Sequence, residues 1–183
     1  MSKRLAVYGA TIAVLLMAWA VANYYSTEMF AVWWHLRHGS HAEVDGIRFP
    51  VPFAYEVSES PGLPRLAMIR FEGHAWRGFG VIDIEFRKQP SPEAIELLES
   101  RGIGRKTIVG GQEATLAGKP GKCVEAIPQI GIAQLQELMR QRDTREIDCW
   151  FGGEVEVTFR GTASLRDEFY SVIRGAAAVQ GKR

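Results

Sequence analysis

From Leu5 to Ala22 the chain has no charged residue and no proline across eighteen consecutive positions. Other things are scarce in the rest. There are only two cysteines and four histidines in 183 residues. The cysteines lie too far apart for a C-x-x-C pair, which excludes a dithiol redox motif and a cysteine-based zinc module. No G-x-S-x-G surrounds any serine, and Ser58 and Ser60 lie in a proline-rich stretch without such context. Gly102-Ile103-Gly104-Arg105-Lys106-Thr107 lacks the glycine spacing of a phosphate loop. Gly121-Lys122 has Leu116 where the first glycine belongs and Cys123 where a hydroxyl belongs. There is no basic run, no internal repeat and no low-complexity tract. The formal charge is +1, or −1 once Lys3 and Arg4 are set aside, which argues against nucleic acid as a partner.

The uncharged run itself is rich in Ala, Val, Leu and Ile. As a helix it covers about 27 Å, close to one hydrocarbon core, with its backbone polar groups satisfied internally. Residues 5–22 are therefore expected to be a transmembrane helix. Tyr24, Tyr25, Trp33 and Trp34 follow, residue types that favour the headgroup zone. Tyr25, Met29, Val32 and Leu36 keep helical spacing, so residues 23–41 are expected to form a juxtamembrane helix ended near Gly39, with lipid contact over residues 5–36. Lys3 and Arg4 precede the span, whereas residues 23–47 carry Arg37 against Glu28, Glu43 and Asp45. The positive-inside tendency then gives a cytoplasmic tail of residues 1–4 and an extracytoplasmic, periplasmic domain of residues 42–183. A cleaved signal peptide is the alternative, because Ala18-Trp19-Ala20 is an A-x-A pattern. Both alternatives export the domain, and in an oxidising compartment Cys123 and Cys149 are expected to form one disulfide.

About 160 residues follow the span, enough for one domain with a core of its own. Asp45-Gly46 between Ala42–Val44 and Ile47–Phe49 is a type I′ hairpin signal. Strands are expected over Tyr55–Val57, Leu66–Glu72 and Phe79–Arg87, the last with Ile82, Ile84 and Phe86 on one face. Ser91 with Pro92 opens a helix toward Gly102. Lys106–Val109, a Gly110-Gly111 break, Gln112–Leu116, a turn at Gly118–Gly121 and Lys122–Ile127 follow. Ile132, Leu135, Leu138 and Met139 mark a short helix. Glu146–Phe151 and Glu154–Arg160 pair around Gly152-Gly153. A final helix starts near Thr162 or Ser164 and buries Leu165, Phe169, Val172 and Ala176. The expected class is α+β: an N-terminal transmembrane helix, then an antiparallel sheet packed with two or three helices.

In residues 47–178, "IRFPVPFAYEV", "GGQEATLAGKPGKCVEAI", "IDCWFGG", "EVEVTF" and "LRDEFYSVIRGA" follow one another in an order that resembles the Mog1/PsbP-like α+β domains. The resemblance implies a binding, assembly or stabilising role rather than a shared catalytic centre, so it carries over no active-site residue. The 132–142 helix and the cysteine pair depart from that group's pattern. The N-terminal span and the cysteines also resemble uncharacterised bacterial envelope proteins.

Two local clusters stand out. His35, His38 and His41 are the densest imidazole group, with Glu43 the nearest further ligand, but Arg37 within it repels a cation, and no metal is assigned. His74, Trp76, Arg77 and Phe79 place aromatics and a cation between glycines, a pattern suited to contact with a partner. Glu93, Glu96 and Glu99 are expected on a solvated helix face. No catalytic residue or cofactor is assigned. The expected function is a single-pass, membrane-anchored extracytoplasmic domain that binds a protein partner or supports an assembly without catalysis. The alternative is an envelope hydrolase or metal-dependent enzyme whose site is not visible in sequence.

Overall fold

A computed structural model describes residues 3–71, 79–86, 106–128 and 143–179. Helix α1, Lys3–Tyr24, holds the uncharged run and is exposed throughout residues 7–23. Helix α2, Ser26–His38, follows after a single residue. The two helices are separated at Tyr25, whose φ of −103° and ψ of 14° lie outside the α region. Helical bonding nevertheless continues across it, with the Tyr25 N–H donating to the Val21 carbonyl at 3.0 Å and the Met29 N–H to the Tyr25 carbonyl at 2.9 Å. Gly39 ends α2 with φ +83°, a conformation that a side chain would oppose.

Two antiparallel sheets follow. The small one has the order β1-β2-β10, where β1 is His41–Val44, β2 Ile47–Pro50 and β10 Ala177–Ala178. Its hairpin turns at Asp45 (φ 47°) and Gly46 (φ 73°), the left-handed pair that a type I′ turn requires. The large sheet runs β3-β4-β5-β9-β8-β7-β6. Its strands are β3 Glu56–Glu59, β4 Arg65–Phe71, β5 Phe79–Phe86, β6 Lys106–Leu116, β7 Lys119–Pro128, β8 Thr144–Phe151 and β9 Val155–Thr162. A 3₁₀ turn at Ala163–Leu165 leads into helix α3, Arg166–Gly175. The chain is therefore α+β, with an N-terminal apolar helix, antiparallel sheets and, among the described residues, three α-helices.

Three local expectations are corrected. Gly110-Gly111 does not break the chain; it lies inside β6, where the register shifts between Ile108 and Gly110 and leaves Val109 as the extra residue of a bulge. The β6–β7 turn is Ala117-Gly118 (φ 48° and 84°), not Gly118–Gly121. Gly121 is instead a strand residue opposite Phe151, and a Cβ there would collide with the Phe151 ring and the Trp150 carbonyl. The strand expected over Tyr55–Val57 is Glu56–Glu59, in which Ser58 and Glu59 pair with Ala67 and Leu66. The expected helices after Ser91 and over residues 132–142 lie outside the described residues.

One face of the large sheet forms the core. Leu66, Met68, Ile82, Ile84, Ile147, Phe151, Val157 and Phe159 are fully buried there. Helix α3 packs against β2, β6 and β9 and adds Phe169, Val172 and Ile173, with Phe49 from β2 completing the cluster. Burying a side chain such as Phe169 contributes about 1.5–3 kcal/mol, and the chain ends of both sheets are tied together through this helix. Ala176 and β10 then return the backbone to β2, where Ala177 pairs with Arg48.

Candidate functional site

The N-terminal helices meet the domain at a seat built by one face of α2. Ala31 and Trp34, one turn apart, are only 1% and 7% exposed, and α2 packs against β3 and β4. His35 bridges the two parts. Its Nδ1 lies 2.9 Å from the Gly39 carbonyl oxygen and its Nε2 3.1 Å from the Pro52 carbonyl oxygen. Both partners are acceptors, so a neutral ring donates to one of them and an imidazolium to both. The Phe53 ring stacks on His35 at 5.3 Å, and the Trp34 ring meets His35 edge-on and stacks with His38, at 5.1 Å from each. Pro50 and Pro52, which restrict the chain, hold this carbonyl against α2 while Val51 N–H donates to Ser40 O at 2.9 Å.

The remaining apolar surface of α2 is uncovered. Met29, Phe30, Trp33 and Leu36 are all exposed, Leu36 by 83%. Ala22, Ser26, Met29, Phe30 and Trp33 line an apolar groove of about 400 Å³ that runs from the end of α1 onto α2. The Arg37 guanidinium sits over the Trp33 ring at 5.3 Å.

Each histidine of the expected cluster makes a hydrogen bond within the protein. His35 is engaged as described, His38 Nδ1 lies 3.1 Å from the Trp34 carbonyl oxygen, and His41 Nδ1 lies 3.0 Å from Ser40 Oγ. Among the described residues no group of three or more His, Cys, Asp or Glu is placed to hold a metal ion. Of the aromatic connection, His74, Trp76 and Arg77 lie outside the described residues. Phe79 opens β5, is half-buried, and pairs in register with Phe71.

Cys123 and Cys149 form a disulfide between adjacent strands, directly opposite one another in the β7–β8 register, with both residues fully buried on the core face. Beside them Glu125 is buried between two arginines, 3.0 Å from Arg166 Nη2 and 3.5 Å from Arg145 Nε. On the other sheet face Glu146 is buried and accepts from Arg160 Nε at 2.9 Å. Burial works to lower the Arg160 pKa, but Glu146, Asp148 and Asp83 outweigh it and hold it above its ordinary value.

A cleft of about 410 Å³ opens among the hairpin turns. Asp45, Lys119 and Glu154 line it, with Lys119 Nζ donating to Glu154 Oε2 at 3.1 Å. Ile47, Pro64 and Phe86 give it an apolar wall. Neither this cleft nor the α2 seat was legible beforehand. The seat left one trace, Ala31 and Trp34 at helical spacing with Met29 and Trp33 on the far side, which marks a helix that is apolar around most of its circumference.

No family model matches the chain, and no curated protein matches it. Among solved structures it is similar to the solution structure of cyanobacterial PsbP from Synechocystis sp. PCC 6803. The identity is 12%, the match covers 73% of this chain and 87% of that one, and the TM-score is 0.43. That is a likeness of fold at low similarity, and no functional residue is carried across from it.

Proposed function

We propose that the protein is a single-pass, membrane-anchored domain on the extracytoplasmic side that binds a protein partner or supports an envelope assembly, without catalysis. The observation that carries this reading is the pairing of α1 with α2. Helix α1 offers only exposed apolar surface over residues 7–23, and Val7–Tyr24 is long and apolar enough to cross a membrane. One residue later α2 is locked into the domain by Ala31, Trp34 and His35. An apolar helix mounted this way serves to hold the domain at a bilayer. The buried disulfide supports an oxidising compartment, and Lys3 with Arg4 supports a cytoplasmic N-terminus.

Carbonate extraction of membranes, with N-terminal sequencing of the recovered protein, tests the anchor. The expected outcome is a protein that stays in the membrane pellet with residues 5–22 attached. A soluble protein beginning at Val21 would replace the anchor with a cleaved signal.

A further inference from the structure

We propose that the outward face of α2 lies in the headgroup layer of the bilayer that α1 crosses, so that the domain is held in one orientation against the membrane surface rather than swinging on a tether. This rests on the anchor reading and adds a specific lipid-contacting surface to it. The surface is Met29, Phe30 and Trp33, with Ala22 and Ser26 as the floor of the groove they wall.

Three observations favour lipid as the occupant. First, the stripe continues the exposed apolar surface of α1, because helical bonding carries through Tyr25. From Val7 to Trp33 a helix rises about 40 Å, which matches a bilayer counted with its headgroups, whereas the stretch to Tyr24 covers only the hydrocarbon core. Second, Arg37 rests over the Trp33 ring at 5.3 Å. An indole with a cation on its face suits the boundary between acyl chains and lipid phosphates. Third, the domain already covers the other face of α2 through Ala31 and Trp34, so the helix cannot turn its outward side inward. With both faces apolar, one bound to protein and the other next to the span, α2 fixes the angle between domain and bilayer.

Nitroxide labels placed one at a time on the full chain in phosphatidylcholine–phosphatidylglycerol vesicles test this. Both native cysteines are in the disulfide, so each added cysteine is the sole reactive thiol. The sites are Val14→Cys in α1, Phe30→Cys on the stripe and Leu63→Cys on an exposed loop. The expected result is that the Phe30 label, like the Val14 label, collides several-fold more with oxygen than with a water-soluble nickel complex, while the Leu63 label shows the reverse. A Phe30 label as open to nickel as the Leu63 label, with Val14 still protected, overturns the headgroup seat and leaves the anchor standing. Nickel access at Val14 as well overturns the anchor itself. Spin–spin broadening at Phe30 that vanishes on dilution with unlabelled protein would identify a second copy as the occupant and overturn lipid. Quenching by brominated lipid provides a check without cysteines. Trp33→Phe should remove a quenched component of the emission, and no loss on that substitution counts against the proposal.

Discussion

Tyr55 shows how one buried hydroxyl reports on the state of the core. It is fully buried, and burial first, then the neighbouring Glu168 carboxylate, pushes its pKa well above the ordinary 10.0, while Arg70 acts in the opposite sense. Tyr170 is raised as well, by burial first, with Arg166 lowering and Glu125 raising it. In both cases the folded state holds the phenolic proton more tightly than the unfolded chain. Their contribution to stability is therefore complete below pH 10 and is lost as pH rises from there toward the folded values. For Tyr55 the loss can approach about 1.4 kcal/mol per pH unit. Absorbance titration should show Tyr55 ionising only together with unfolding, and Tyr55→Phe should flatten the alkaline fall in stability. A free, reversible Tyr55 titration near pH 10 in folded protein would contradict this. Phe53 lies two residues away, stacked on His35, and remains 67% exposed, which shows how sharply the chain turns from core to surface there.

Between elements, the β7–β8 disulfide and the Arg166–Glu125 ion pair of α3 join the same part of the sheet. The bridge closes a separation of 26 residues, which by loop entropy stabilises the fold by about 3.5 kcal/mol. Replacing Cys123 and Cys149 together with alanine should lower stability by roughly that amount in denaturant titration, and an unchanged midpoint would refute it. Most strands were legible because period-two alternation places Ile82 and Ile84, or Val155 and Val157, on a buried face. The misplaced β6–β7 turn was not. Ala117 carries no sign of its positive φ, while Lys119-Pro120-Gly121 looks like a turn but is held extended because Phe151 lies over Gly121. The β6 bulge was hidden for a similar reason: a paired strand absorbs Gly110 and Gly111, whose sequence alone signals a break.

For the whole molecule, the seat of α2 decides whether the apolar helix α1 and the domain move as one body. Trp34→Ala removes a nearly buried indole and should cost about 3–5 kcal/mol, detectable as a lower thermal midpoint of the detergent-solubilised protein. Leu36→Ala, on the exposed side of the same helix, should change stability by less than about 0.5 kcal/mol. Equal effects of the two would mean that α2 is not seated as described. The candidate site was the least legible part of the chain, since its parts are far apart in sequence: Trp34 and His35 belong to α2, and Pro52 and Phe53 to the segment after β2.

The sequence by itself determined what local chemistry controls. An uncharged, proline-free run must be helical to satisfy its backbone away from water, Asp45-Gly46 adopts left-handed angles readily, and alternating apolar residues select a strand face. Only the tertiary structure decided which apolar face of α2 the domain covers, that Cys123 stands opposite Cys149, and that His35 spans two carbonyls. Those outcomes depend on contacts between distant segments, and a residue's own type and neighbours carry no record of what packs across from it.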